Sequence, residues 1–333
     1  LDVLLDVLLD VLLDVLLEAQ ADHSAIVIDE IFERARQQLR EFDRVHAADP
    51  PATFQGTLRQ YQREGLGWLR FLRQFNFGGC LADDMGLGKT IMVLALLEGL
   101  RTESTERRPS LIVVPRSLVH NWHSEAAKFA PQLRIVDYSG TGRTDPGDGF
   151  QDADIVLATY GTLRRDVPHL RQVEFEYVIL DESQAIKNSA TVAAKAVRLL
   201  NARHRLALSG TPIENHLGEL WSLFDFLNPG MLGSAALFQG AAGTSRPDPE
   251  TLTEMARGLK PFILRRTKEQ VASDLPRRTE QTIICDFEPK QRAFYNGVRA
   301  HYRQSVLARV DRDGLSKSKM HILEALLRMR QAA

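Results

Sequence analysis

Residues 83–90 read DDMGLGKT, and this stretch decides the fold. A short apolar run, residues 77–82, leads into it, and residues 91–100 (IMVLALLEGL) have the composition of a strongly apolar helix. A glycine-rich turn that ends in Lys-Thr at a helix N-terminus binds phosphate, because backbone N–H groups converge on the anion and the helix dipole favours negative charge. We therefore predict a phosphate-binding loop in which Lys89 reaches the β- and γ-phosphates and Thr90 ligates Mg2+.

The strict phosphate-loop pattern, G-x-x-x-x-G-K-[ST], has glycine where this chain has Asp83. Gly86 and Gly88 still supply the backbone freedom that such a turn needs. The alternative interpretation is a helix start preceded by an incidental Gly-Leu-Gly. In the nucleotide-binding interpretation the contacting residues are Asp83, Asp84, Met85, Gly86, Leu87, Gly88, Lys89 and Thr90.

A second half of the same site follows another apolar strand. Residues 177–180 (YVIL) run directly into Asp181 and Glu182. One carboxylate there can hold Mg2+, and its neighbour can orient and deprotonate the water that attacks the γ-phosphate. The alternative is a plain acidic helix start, where Asp and Glu are favoured anyway. The phosphate loop and the Asp-Glu pair follow each other in the order that a nucleotide site requires, and together they favour that interpretation.

The pattern around these motifs alternates between apolar strands and helices. Such a pattern predicts a parallel sheet covered on both faces, that is, an α/β doubly wound fold with its ligands at the carboxyl ends of the strands. The expected strands are 111–115, 134–138, 154–159, 176–180 and 205–208, and the expected helices are 58–75, 91–100, 118–129 and 185–200, with a further helix after the strand at 154–159.

The two flanks differ from this central part. Residues 1–16 are four copies of Leu-Asp-Val-Leu, which suggest a low-complexity helix but no membrane span, since an Asp every four residues is costly in a bilayer. An amphipathic helix is expected at 25–45, and helices are expected at 250–264 and 289–330. We therefore expect a helical N-terminal segment (1–48), an ATP-binding domain (49–230) and a helical extension (231–333). Both ends look cut, because the chain starts with Leu and stops within a helical pattern.

Composition is that of a globular protein, with 44% hydrophobic and 26% charged residues among 333 and a net charge of −1. Residues 257–333 carry 17 basic and 8 acidic side chains, which suits either a phosphate-backbone partner or a solvated helical surface. Cys80 and Cys285 offer neither a disulfide framework nor metal-ligand spacing. With no signal peptide visible, we expect a cytoplasmic protein associated with the nucleoid.

Several stretches together resemble the ATP-binding lobe of Swi/Snf-type ATPases, helicase-like motors of superfamily two. The resemblance covers residues 57–330 and is strongest to bacterial members. The stretches are QREGLGWLRFL, DDMGLGKT, LIVVPRSLVHNW, DIVLATYGTL, VILDESQAIKN, RLALSGTPIENHLGELWSLFDFLNPG and FILRRTKEQV.

The resemblance implies a RecA-like lobe and assigns residues to roles. Gln62 would read adenine, Asp181 would hold Mg2+ with Thr90, and Glu182 would be catalytic together with Asp181 and Lys89. Gln184 fills the fourth position of the Asp-Glu-x-Gln box. Ser209, Gly210 and Thr211 match the motif that couples the nucleotide site to DNA. Residues in segments that contact the DNA backbone are Arg116, Ser117, Thr159, Tyr160 and Lys187.

The implied cofactors are ATP and Mg2+, and the implied partner is double-stranded DNA, with a DNA-bound complex such as RNA polymerase as a candidate target. A second RecA-like lobe, which carries an arginine finger, is expected in a longer chain. Two other functions stay open: a nucleotide-gated binding module without turnover, and an RNA helicase of the DEAD-box kind. The intact Asp181–Glu182 pair disfavours the first, and the DESQ box with its long following segment disfavours the second.

Overall fold

A computed structural model describes residues 46–103, 107–140, 150–210, 217–232, 259–271 and 286–333. The N-terminal repeat, the helix expected at 25–45 and Thr211 lie outside the described residues. The chain divides into two compact units, Leu1–Asp274 and Leu275–Ala333.

The described part of the first unit is built on a parallel sheet of seven strands in the order β3-β4-β2-β5-β6-β1-β7. The strands are β1 Gly79–Leu81, β2 Ser110–Val114, β3 Ile135–Asp137, β4 Ile155–Thr159, β5 Glu174–Leu180, β6 Asn201–Leu208 and β7 Ile263–Leu264. Its helices are α1 Gln60–Gln74, α2 Lys89–Glu103, α3 Val119–Phe129, α4 Tyr160–Leu170, α5 Val192–Arg198, α6 Leu217–Leu227 and α7 Lys268–Val271.

The central strands of the parallel sheet are apolar and buried towards their carboxyl ends, as expected for a sheet covered on both faces. Every residue of β2 is buried, and the buried side chains divide into two hydrophobic clusters. Helix α2 is buried over most of its length, which fits its lack of a polar face. This architecture confirms the predicted α/β doubly wound fold.

The sequence missed β7. Residues 250–264 were expected to form a helix, but Lys260–Phe262 form a 3-10 turn and Ile263–Leu264 pair with Cys80 and Leu81 of β1. Ile263 and Leu264 thus belong to the same sheet as β1. The expected domain bounds stay a prediction.

The single helix expected at 185–200 is also interrupted. Ser183–Ile186 form a 3-10 turn, and α5 begins only at Val192. Two local hydrogen bonds explain the break: Asn188 Oδ1 accepts from the N–H of Ala190, and Thr191 Oγ1 caps α5 by accepting from the N–H of Ala194.

The described part of the second unit is α8, Pro289–Ala332, in the region where a helix was expected. Gly314 has φ 78° and ψ 162°, values outside the helical region, so the helix breaks there. Ser305 lies 3.2 Å from His321, and Gln291 donates to the carbonyl of Ala333. The two halves of α8 therefore form an antiparallel hairpin. None of the described helices is long and apolar enough to cross a membrane.

Candidate active site

The phosphate loop lies between the end of β1 and the start of α2. Gly86 and Gly88 both have positive φ, 85° and 83°, which favours glycine. A Cβ added to Gly88 would lie 2.5 Å from Nε2 of Gln62, so this position has neither the conformation nor the space for a side chain. Gln62 donates from Nε2 to the carbonyl of Leu87, and this bond ties α1 to the loop.

Lys89, the first residue of α2, turns its ammonium towards the loop. Its Nζ lies 2.6 Å from the carbonyl oxygen of Asp83 and 3.3 Å from that of Asp84. Burial lowers the pKa of Lys89, while nearby carboxylates raise it. Those carboxylates belong to Asp83, Asp181, Glu182 and Asp84. Because β1 and β5 both pair with β6, the loop and the Asp-Glu pair lie at the same edge of the sheet, as the two-halves interpretation requires.

Asp181 follows β5 and is held from three directions. The indole N–H of Trp122 donates to its Oδ2 at 2.8 Å, and the N–H of Glu182 donates to its Oδ1 at 2.9 Å. The hydroxyl of Tyr160 donates to its carbonyl oxygen at 2.9 Å. Burial raises the pKa of Asp181, and the hydrogen bond from Trp122 is the largest opposing effect. The carboxylate is therefore fixed in position before any ligand arrives.

Glu182 has a left-handed backbone, with φ 51° and ψ 57°. This conformation is uncommon for a residue other than glycine and is concentrated at functional sites. Gln184 donates from Nε2 to Oε2 of Glu182 at 2.7 Å. The fourth residue of the Asp-Glu-x-Gln box thus orients the carboxylate that was predicted to act on water.

The remaining nucleotide-site predictions fall at the same edge of the sheet. Ser209 is buried, and its N–H donates to the carbonyl of Leu81. A Cβ on Gly210 would lie 2.8 Å from Cγ of Met85 and 3.9 Å from Nζ of Lys89. The segment with the expected coupling role therefore passes directly beside the phosphate loop.

Of the residues expected to contact DNA, three are exposed: Arg116 and Ser117, on the 3-10 turn after β2, and Lys187, which lies 3.8 Å from Glu219. Thr159 ends β4 and caps α4 by accepting from the N–H of Thr162. Tyr160 differs, because its hydroxyl contacts Asp181.

The motifs did not assign two residues that the structure places at the nucleotide site, Arg266 and Trp122. Arg266 lies just after β7, and its N, Nε and Nη2 donate to the carboxylate of Asp83 at 3.0, 3.1 and 2.5 Å. Its Nη1 donates to the carbonyl of Tyr61. Trp122, whose indole N–H donates to Asp181, was given no role by the motifs either. Both residues stand in stretches that carry the resemblance, but nothing in their spacing predicts these partners.

The donor set fits the two implied cofactors. A hydroxyl at Thr90 and a fixed carboxylate at Asp181 are the hard oxygen ligands that Mg2+ takes when it is also held by phosphates. The positive-φ loop with Lys89 is suited to a polyphosphate.

Comparisons with known proteins identify the family of the chain. The family model described as the SNF2-related domain matches residues 61–333. The chain is 37% identical over 322 residues to the TATA-binding protein-associated factor MOT1 of Saccharomyces cerevisiae, a match covering 89% of the chain and 17% of that protein. It is 37% identical over 276 residues to an uncharacterized ATP-dependent helicase of Mycoplasma pneumoniae, covering 82% and 26%.

Among solved structures, the SWI2/SNF2 ATPase core of Sulfolobus solfataricus in complex with double-stranded DNA matches with a TM-score of 0.64 and 38% identity. That match covers 86% of this chain and 60% of the other. The chain spans less than a third of the length of these curated relatives. With the family model matching most of the chain and ATP-dependent helicases among its relatives, the chain belongs to the SNF2-related family.

Proposed function

We propose that the chain is the ATP-binding lobe of an ATP hydrolase that is stimulated by double-stranded DNA and translocates along it. The observation that carries the proposal is the position of the two motifs: the phosphate loop follows β1 and the Asp181–Glu182 pair follows β5, and both strands pair in parallel with β6, so both motifs lie at the carboxyl edge of one sheet. A protein that only bound nucleotide would have no need of a second, oriented carboxylate beside the metal ligand.

Each residue has one task in this mechanism. The phosphate loop and Lys89 hold the β- and γ-phosphates, and Thr90 and Asp181 hold the metal ion. Glu182, oriented by Gln184, positions the attacking water and accepts its proton. When bound, Mg2+ neutralises the charge that develops on the phosphate oxygens. Trp122 keeps the Asp181 carboxylate in place throughout.

The DNA part of the proposal rests on the solved relative and on the exposed turn. The Sulfolobus core was solved in complex with double-stranded DNA. Arg116 and Ser117 here are exposed directly after β2, and Lys187 is exposed after the Ser183–Ile186 turn. Cationic and hydroxyl side chains of this kind bind phosphate oxygens without reading sequence.

We expect a longer chain to contain a second RecA-like lobe, which would complete the catalytic site. Its arginine finger is worth about 10^3–10^5 in rate in comparable sites. We therefore expect this chain to bind ATP–Mg2+ weakly and to hydrolyse it slowly. MOT1, by its name, is associated with the TATA-binding protein, and a DNA-bound protein complex is the type of target that we propose here.

Turnover and simple binding are separated by comparing Glu182→Gln with the wild-type chain. We expect both to bind ATP with similar affinity by isothermal titration calorimetry. Slow release of phosphate, followed over hours, should be seen only in the wild type. If the two proteins released phosphate at the same background rate, the chain would be a nucleotide-gated binding module. Stimulation of a longer chain by duplex RNA, and not by duplex DNA, would favour the RNA helicase alternative.

A further inference from the structure

The segment after β7 runs alongside the phosphate loop. The N–H of Ala82 donates to the carbonyl of Leu264 at 2.7 Å, and the N–H of Asp84 donates to that of Arg266 at 3.0 Å. The N–H of Lys268 then donates to Oδ2 of Asp84 at 3.0 Å. The pairing of β7 with β1 therefore continues past the end of the sheet and places α7 beside the loop.

The side chain of Lys268 reaches across the middle of this loop. Its Cε and Nζ each lie 3.6 Å from the position that a Cβ on Gly86 would occupy. Lys268 is exposed, and within the described part of the chain its ammonium makes no hydrogen bond or ion pair. The end of the side chain thus lies close to Gly86, and the charge is available to a ligand.

The two lysines bracket Asp84, since Nζ of Lys89 contacts its carbonyl oxygen and the backbone of Lys268 contacts its carboxylate. The carboxylate of Asp83 is already paired with Arg266 and does not compete for the second ammonium. An unpaired cation next to a phosphate-binding turn attracts a nucleotide that carries three or four negative charges.

We propose that Lys268 is a second cationic ligand for the polyphosphate of nucleoside di- and triphosphates bound in this loop, in addition to Lys89. The inference rests on the proposed function in one respect, because it takes the loop to bind nucleotide. It adds a residue from the far end of the lobe, which neither the loop motif nor the Asp-Glu box assigns.

The test uses Lys268→Met, which keeps an unbranched side chain beside Gly86 and removes the charge. The dissociation constants of ATP and ADP are measured by calorimetry on the 333-residue chain, at low salt and in 0.5 M NaCl. Loss of one charge-assisted contact should change the affinity about tenfold. Lys260→Met is the matched control, because Lys260 is an exposed lysine on the 3-10 turn just before β7. Lys268→Arg and Lys89→Ala complete the set.

We expect Lys268→Met to weaken ATP and ADP alike, with a smaller difference at high salt, where charge is screened. Lys268→Arg should recover most of the affinity, and Lys260→Met should match the wild type. The melting temperature without nucleotide should be unchanged.

Wild-type affinity in Lys268→Met, with binding lost in Lys89→Ala, would overturn this inference and leave the proposed function standing. A loss that salt does not change and arginine does not rescue, together with a lower melting temperature, would overturn it in favour of a packing role. No ATP binding by the wild-type chain would overturn both.

Discussion

Asp83 occupies the position where the strict phosphate-loop pattern has glycine, and its partner shows why a carboxylate is stable there. The side chain is fully buried and accepts from three N–H groups of Arg266. A buried carboxylate is tolerated when it is paired and hydrogen-bonded in this way. Asp83 thus anchors the start of the loop, and the positive-φ backbone of the loop is confined to Gly86 and Gly88.

Gly88→Ala is expected to weaken ATP binding at least about tenfold, because an L-residue disfavours this positive φ and the added methyl would meet Gln62. Calorimetric titration with ATP–Mg2+ measures the effect. Gly99→Ala, in the same helix-loop unit, is the matched control, since its added Cβ would make only 3.8 Å contacts. We expect wild-type affinity for that control. Equal affinities for the two variants would contradict the role of Gly88 in the phosphate loop.

Trp122→Phe is expected to raise the Mg2+ concentration needed for tight ATP binding about tenfold, a typical effect of losing a partner that orients a metal ligand. The measurement is ATP affinity as a function of Mg2+ concentration. Trp68→Phe is a matched control, since Trp68 is also buried and donates to the carbonyl of Pro261. Both variants should lose about 1–3 kcal/mol of stability. If their Mg2+ responses were the same, Trp122 would have no special part in holding Asp181.

For single residues, the sequence predicted a role wherever that role depends on neighbours in the chain. Lys89, Gly88 and Asp181 were located from motifs that each occupy a few consecutive residues. Arg266 and Trp122 were missed because their partners are 183 and 59 residues away. Which distant side chains meet is set by strand order, and residue type alone does not encode it.

At the scale of elements, the strands with a continuous apolar run were predicted close to their observed bounds, because burial on both faces leaves a clear pattern. Strand β7 has only two residues, so no periodicity could identify it. The break in the 185–200 helix depends on side-chain caps at Asn188 and Thr191, which compete with helical hydrogen bonds. Short elements and caps are therefore what the pattern failed to predict.

Arg266→Ala is expected to lower the free energy of unfolding by about 3–5 kcal/mol, because it leaves the carboxylate of Asp83 buried without its partner. Urea denaturation followed by circular dichroism measures the change. The neighbouring Arg265→Ala is the control, since Arg265 is exposed, and it should stay within about 0.5 kcal/mol of the wild type. Adding Asp83→Asn to Arg266→Ala should recover part of the loss. Equal stabilities for the two arginine variants would contradict the anchoring role of Arg266.

At the scale of the whole molecule, the first unit carries the nucleotide site and the second unit is a helical hairpin in its described part. The fold class was predictable because the order of strands and helices sets it. The target of the full-length motor was not predictable, since the residues of the site recognise nucleotide and the fold alone does not specify a target. The chain also covers only 60% of the solved DNA-bound core.

The most direct test of the central claim is the rate of ATP hydrolysis with and without duplex DNA. It is measured on this chain and on one extended past Ala333 to include a second RecA-like lobe, each beside its Lys89→Ala variant. We predict slow, DNA-independent turnover for this chain and fast turnover for the extended one, which should require both duplex DNA and Lys89. An extended chain that binds ATP, but whose rate of ATP hydrolysis does not change with duplex DNA, would contradict the account.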